Sequence, residues 1–409
     1  MIRLDALTKV FETSEGSTIA ADNVDMEVPE GEICILLGPS GCGKTTTLKM
    51  INRIVPPTSG KVFIDGKDTT SLDTIELRRN IGYVIQQIGL FPNMTVEQNI
   101  MIVPKLLGWD DARARTRAAE LVEMMALEPA VFLKRYPKEL SGGQAQRIGV
   151  ARALAADPPV MLMDEPFGAI DPINREIIQD EFLKMQQELR KTIMFVSHDI
   201  DEAVKMGDRI AIFRAGKLEQ YDAPDDLLAH PASDFIAGFV GADRTLKRLR
   251  LVKVGDAMDA DAPSVRAEDP VERAAALMRE HGHRYIVMTG PRGRPRGTLS
   301  LEEAEGQRGR VADHYRGVVA TVSVDDELRT AVSLMFAHDL SWMPCVDASG
   351  VYRGHVTQRG ITSLLGETYR NRPGGTDAGG VAGAGVPPPE VPVADERAAA
   401  TATAEADAA

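Results

Sequence analysis

One eight-residue stretch restricts the fold of this chain more than any other. Residues 38–45 read GPSGCGKT, directly after the apolar run Ile33–Leu37 and before a helical pattern. A GxxxxGK sequence followed by Ser or Thr, set between a strand and a helix, makes a loop whose backbone N–H groups curl round phosphate oxygens. The glycines permit the curl, Lys44 can reach β- and γ-phosphates, and the Thr45 hydroxyl suits Mg²⁺. Gly38, Pro39, Ser40, Gly41, Cys42, Gly43, Lys44, Thr45 and Thr46 are therefore candidate phosphate contacts. Cys42 reads in two ways: a small residue that fits the loop, or a thiol drawn towards thiolate by the donors and Lys44 beside it.

Further apolar runs at 81–85, 160–163, Thr192–Val196 and 210–213 alternate with helical patterns. That alternation predicts an α/β fold with a largely parallel sheet. The run at 160–163 ends in Asp164 and Glu165. Asp164 suits direct or water-mediated Mg²⁺ ligation, and Glu165 suits polarising a water that attacks a γ-phosphate. Two acids ending a strand are common, and they gain meaning from the phosphate loop upstream. Between the two lies Leu140-Ser141-Gly142-Gly143-Gln144. Small residues opening a helix can present N–H groups and a hydroxyl to an anion. Ser141 suits a plain helix cap equally well.

The chain has 409 residues, enough for two to three domains. Its formal net charge of −13 argues against a protein held to nucleic acid by bulk charge. No apolar run approaches the roughly 18–20 residues of a membrane span, and the N-terminal sequence has no apolar signal core. Three cysteines make no disulfide framework and suit a reducing cytosol. Residues 371–409 lack aromatics and are mostly Gly, Ala, Pro, Val, Thr and acid. Such a tail cannot bury enough apolar surface to offset its ordering entropy, so disorder is expected over 367–409. Five positive charges and no acid mark 244–253 as a basic linker.

After that linker the sequence repeats itself at an offset of 57 residues, which lays Val254 on Val311, Asp269 on Asp326, Leu277-Met278 on Leu334-Met335 and Gly293 on Gly350. Each copy reads as a short strand, an amphipathic helix (271–281; 328–338), two strands and a second helix. The expected organisation is a first domain at 1–243, the linker, copies at 254–307 and 308–366, and the tail.

The three motifs, in this order, resemble the ATP-binding subunit of ABC transporters over residues 1–240. That resemblance implies a P-loop ATPase fold with a helical subdomain. It also implies further roles: Phe11 stacking on adenine, Gln86 contacting Mg²⁺ and the attacking water, Asp171 linking the two sites of a dimer, and His198 as a switch at the γ-phosphate. Ser141, Gly142, Gly143 and Gln144 match the family signature. Ala145 stands where glutamine is usual, and Ile170 where leucine is usual. The repeat resembles a tandem pair of α+β CBS domains, and the combination resembles the ATPase of importers for glycine betaine, proline betaine, carnitine or choline.

The resemblance implies ATP and Mg²⁺, a homodimer, a separate permease docked near 89–96, and an extracytoplasmic substrate-binding protein or domain, with the subunit peripheral on the cytoplasmic membrane face. A soluble ABC-type ATPase and a nucleotide-sensing regulator are the competing classes. In the CBS pair, the position of a ribose-binding acid holds Glu303 in the first copy and Gly360 in the second. An anionic lipid and a nucleotide are both candidate CBS ligands, with Arg292, Arg294, Arg296, Arg308 and Arg310 able to meet phosphate. Tyr285 and Trp342 fall at equivalent positions, as packing residues or as base-stacking platforms.

Overall fold

The computed structural model describes residues 1–14, 16–85, 89–168 and 170–370. The expected tail at 371–409 lies outside them. In Ile33–Leu37, Val160–Asp164 and Thr192–Val196 every residue is buried, as befits strands covered on both faces. Alternation divides their side chains between two cores. Ile33, Ile35, Leu37, Met161 and Met163 enter one, and Cys34, Leu36, Val160 and Leu162 the other. The six-stranded sheet runs in the order Lys217–Asp222, Arg209–Arg214, Ile33–Leu37, Thr192–Val196, Val160–Asp164, Ile81–Val84. Only its first pair is antiparallel. The loop at 38–45 thus leaves the C-terminal end of a central strand, where α/β sheets present their ligand sites.

A second sheet, in the order Gly16–Val28, Ile2–Thr13, Ser59–Ile64, Lys67–Asp68, is antiparallel throughout. Its inward residues Ile2, Leu4, Leu7, Val24, Met26 and Val28 close the second core against Cys34, Leu36 and Leu48. Over the first core lie the helices Val96–Leu106, Asp111–Met124 and Gly142–Leu154, which contribute Ile100, Leu121 and Ile148. Pro104, which has no N–H to donate, falls in the last turn of its helix, and Leu107 N–H beyond it reaches the Val103 and Pro104 carbonyls.

The two sequence copies form two further sheets. One is Ser264–Arg266, Tyr285–Thr289, Pro295–Ser300, Arg316–Gly317; the other is Val322–Ser323, Trp342–Val346, Tyr352–Thr357. Their amphipathic helices are Val271–His281 and Leu328–Ala337. The copies exchange their leading segments: Val254 packs in the core of the second copy, and Val311 in the core of the first. In the stretch expected as a basic linker, Arg248 and Leu249 are buried while Leu246 is 65% exposed. Within it the helix Arg244–Arg248 puts Arg248, 5% exposed, against Asp225, with Nε and Nη2 donating at 2.6 and 2.9 Å. Leu249 is buried in the core of the second copy.

Candidate functional site

The helix Lys44–Ile51 starts at the end of the glycine-rich loop. Gly43, at φ 104°, accepts the first helical bond from Thr47 N–H at 2.8 Å. A Cβ on Gly43 would stand 2.0 Å from the Ala20 carbonyl oxygen, and one on Gly38 2.2 Å from that of Phe213. The loop is therefore a cradle only glycine can line at these two points. Lys44 is 7% exposed, and its ammonium donates to the Gly38 and Pro39 carbonyls at 2.7 and 2.9 Å. Cys42 is buried in the second core, with its Sγ 3.6 Å from Lys44 Nζ. That burial favours the small-residue reading of Cys42 over the reactive one.

The Thr45 hydroxyl donates to Asp164 Oδ1 at 2.9 Å, so the structure joins two residues far apart in sequence that the motifs assigned to Mg²⁺. Burial pushes the Asp164 carboxyl up, opposed by the Thr45 bond and by the charges of Lys49 and Lys44. A hydroxyl and a carboxylate beside a phosphate loop form an oxygen set that fits Mg²⁺. Glu165 follows in the left-handed region, φ 48°, its N–H bonded to the Val196 carbonyl at 3.1 Å. His198 Nδ1 lies 3.8 Å from Glu165 Oε1, and the His198 side chain is 64% exposed.

Behind this pair is a network that the motifs did not reveal. Ser197 Oγ donates to Glu202, Gln179 Nε2 donates to Glu202 Oε1 at 2.9 Å, and Asp199 N–H donates to Ser197 Oγ at 3.1 Å. Burial raises the Glu202 carboxyl above its ordinary range against both hydrogen bonds. A carboxylate on the inward side of a short helix was the available sequence signal.

Other sequence candidates lie on neighbouring elements. Ser141 caps the helix Gly142–Leu154, accepting from Gln144 N–H at 3.3 Å while Gln144 Oε1 accepts from Ser141 N–H at 3.0 Å. No hydrogen bond among the described residues joins that cap to the phosphate loop. Asp171 caps the helix Pro172–Leu189 through Asn174 N–H at 3.1 Å. Phe11 is 39% exposed under the Lys9 ammonium. Gln86 lies outside the described residues. The segment after it is braced by buried Asn99, which bonds Phe91, Met94 and Thr95, and by Arg152, which donates to the Gly89 carbonyl at 2.6 Å. Phe91 itself is 48% exposed.

In the repeat pair, Tyr285 and Trp342 stack on each other at 4.7 Å and 17°, joining the copies. Partial burial pushes Glu303 up, but its bonds from Ser300 and its pairing with Arg316 outweigh this and hold it below the ordinary range. In the second copy the Thr357 hydroxyl accepts instead from Gly360 N–H at 2.9 Å. Arg294 reaches across to the Ser349 carbonyl at 2.8 Å, so this arginine joins the two copies. His355 is buried, and with His283 beside it its imidazole is pushed down to about 4 against the opposing charge of Asp259.

A glycine cradle above a central parallel strand, with its threonine tied to the acid of a nearby strand and an antiparallel sheet alongside, makes the first part of the chain an ATP-binding cassette. Known families agree: the ABC transporter model matches residues 21–168, and the CBS domain model matches residues 254–304. The osmoprotectant import ATP-binding protein OsmV of Salmonella typhimurium is 55% identical over 90% of this chain and 98% of its own. The glycine betaine/carnitine/choline transport ATP-binding protein OpuCA of Bacillus subtilis is 43% identical over 89% and 96%. Among solved structures, the dimeric post-hydrolysis state of the cassette MJ0796 bound to ADP and Pi is 38% identical, covering 55% of this chain and 98% of that one at a TM-score of 0.50. The chain belongs to the ABC transporter family, as an ATP-binding subunit that carries CBS domains.

Proposed function

We propose that this chain is the ATP-hydrolysing subunit of an importer for quaternary-amine osmoprotectants such as glycine betaine, carnitine or choline, regulated through its CBS pair. The observation that carries the substrate class is the end-to-end similarity to OsmV and OpuCA, 98% and 96% of whose lengths are matched. In this reading residues 38–46 hold the phosphates and Phe11 meets the adenine. Thr45, Asp164 and Gln86 hold Mg²⁺, which neutralises phosphate charge when bound. Glu165 accepts the proton of the attacking water, and His198 contacts the γ-phosphate. The 3.8 Å approach of His198 to Glu165 supports their acting on one substrate group.

One phosphate loop and one Ser141–Gln144 signature per chain imply a homodimer with two sites, each completed by the partner's signature and linked through Asp171. Among the described residues no helix is long and apolar enough to cross a membrane. Transport therefore needs a separate permease, for which the braced segment 89–96 with exposed Phe91 is the proposed dock. The subunit sits on the cytoplasmic membrane face, and a substrate-binding protein or domain works opposite it. At the CBS pair an anionic lipid is favoured over a nucleotide, because Arg316 and Ser300 already engage Glu303 and Gly360 supplies no second acid. The test is co-expression with its permease and reconstitution in liposomes. ATP-driven uptake of labelled glycine betaine, carnitine or choline, abolished by Glu165→Gln, supports the proposal. Coupled uptake of an unrelated solute alone refutes the substrate class.

A further inference from the structure

Asp259, His283 and His355 meet at the junction of the two sequence copies, on the wall of a cleft of about 670 Å³ also lined by Tyr285, Trp342 and Thr357. One ligand-type atom from each lies within 4.8 Å of the other two. His283 Nε2 is 3.5 Å from Asp259 Oδ2. That is long for a hydrogen bond. It matches the spacing between two ligands on one small metal ion, about 3.3–3.5 Å when each bond is near 2.1 Å. His355 is 7% exposed and lines the cleft, with no hydrogen bond to its ring nitrogens among the described residues.

The three side chains are positioned by different parts of the fold. Asp259 and His355 form an isolated bridge, with Asp259 N–H donating to the His355 carbonyl at 2.8 Å and His355 N–H returning to the Asp259 carbonyl at 3.2 Å. Gly354 makes that approach feasible: a Cβ there would stand 2.2 Å from the Asp259 carbonyl oxygen. His283 follows Gly282, which ends the helix Val271–His281 in the left-handed conformation. The His355 ring is held edge-on between His283, at 4.7 Å, and Trp342, at 5.8 Å. A backbone bridge, a helix end and an aromatic wall thus fix the donors before any ion arrives, as a binding site requires.

We infer that Asp259, His283 and His355 form a binding site for a divalent first-row transition metal, which clamps the two CBS copies together. Two imidazoles and one carboxylate are borderline donors that select Zn²⁺, Co²⁺ or Ni²⁺ over Mg²⁺ or Ca²⁺. Three protein ligands leave a coordination position open to the cleft, for water or an anion. Asp259 lies between the helix Val254–Ala257, which opens the first copy and packs on the second, and the strand Ser264–Arg266; His283 belongs to the first copy and His355 to the second. An ion shared by them therefore restrains the copies against each other.

The test uses the full-length, tag-free chain, stripped with chelator and kept free of nucleotide. It is titrated with ZnSO₄ by calorimetry and with CoCl₂ by absorption. The expected result is one equivalent of metal per chain, visible d–d bands from Co²⁺, and a thermal midpoint that rises with Zn²⁺ and returns with chelator. Asp259→Asn and His283→Gln alter partly exposed side chains and should fold normally; each should weaken Zn²⁺ at least tenfold. His355→Ala should abolish binding. Absence of stoichiometric binding by 100 µM Zn²⁺ or Co²⁺, or unchanged affinity in the Asp259→Asn/His283→Gln double variant, overturns the inference.

Discussion

Glu165 holds a left-handed backbone conformation that a non-glycine residue adopts at a cost of about 1–2 kcal/mol. The neighbouring strand enforces it through the Val196 carbonyl, which aims the carboxylate towards His198. With Glu165 as the proposed base, Glu165→Gln keeps shape and loses the proton acceptor, so hydrolysis should fall by about 10²–10⁴ while ATP still binds. Turnover of the reconstituted transporter and nucleotide titration check both halves. Glu202 makes a different prediction. Burial raises its folded-state pKa, so the native state holds this proton more tightly than the unfolded chain does. Stability from this group is greatest in acid and declines as pH rises from the ordinary carboxylate range through the raised folded value. Glu202→Gln keeps bonds to Ser197 and, after an amide flip, to Gln179. At pH 7 its melting point should equal or exceed the parent's, and the difference should shrink towards pH 4. The motif residues were legible because phosphate chemistry fixes both type and spacing. Ser197 and Glu202 were not, since their partnership exists only once the strand Thr192–Val196 and the helix Ile200–Met206 are packed.

At the scale of elements, Ser141 separates two roles that coincide in sequence. Its capping box supports the helix Gly142–Leu154, so Ser141→Ala should cost about 1 kcal/mol of stability. Ser141→Asp preserves the cap but would place a carboxylate against the partner's γ-phosphate. Its melting point should stay near the parent's while ATP-driven dimerisation and hydrolysis are lost. A melting point and a sedimentation run distinguish that outcome from a purely structural cap, for which activity would survive. Fully apolar strands such as Ile33–Leu37 were readable as continuous runs. The antiparallel sheet was not: Gly16–Val28 begins with four exposed residues and alternates regularly only from Val24, and register shifts in Ile2–Thr13, with Ala6 and Asn23 at positive φ, interrupt the period. The 57-residue repeat corresponds to the two sheets, each with its own amphipathic helix, that follow residue 254. It could not show that Val254 and Val311 change places, because an exchange between equivalent segments leaves the sequence pattern unaltered.

Across the whole molecule, the stretch 244–253 runs from the ATPase domain to the CBS pair and is held by ion pairs to Asp201, Asp225 and Asp243. Lys247, 10% exposed, lies 2.5 Å from Asp243 and 3.6 Å from Asp201, and Arg248, 6% exposed, meets Asp225; the three carboxylates are all about half exposed. Exposed pairs weaken as the Debye length contracts from about 10 Å at 0.1 M salt to 3 Å at 1 M; buried ones weaken much less. Rising salt should weaken the single-atom Lys247 contacts first, while the two-pronged Arg248–Asp225 pair keeps the helix Arg244–Arg248 attached, which grades the response. Arg248→Ala removes that retention. Because Asp225 is 44% exposed, its stranded charge is solvated and the cost should be only about 1–2 kcal/mol, below that of opening a fully buried pair. In anionic liposomes with the permease, ATPase activity of the intact chain should rise with salt. Arg248→Ala should shift that rise to lower salt, and a chain ending at Asp243 should be active and salt-insensitive. An unchanged salt response in the shortened chain would place the sensor within the ATPase or the permease and remove the CBS pair from the circuit.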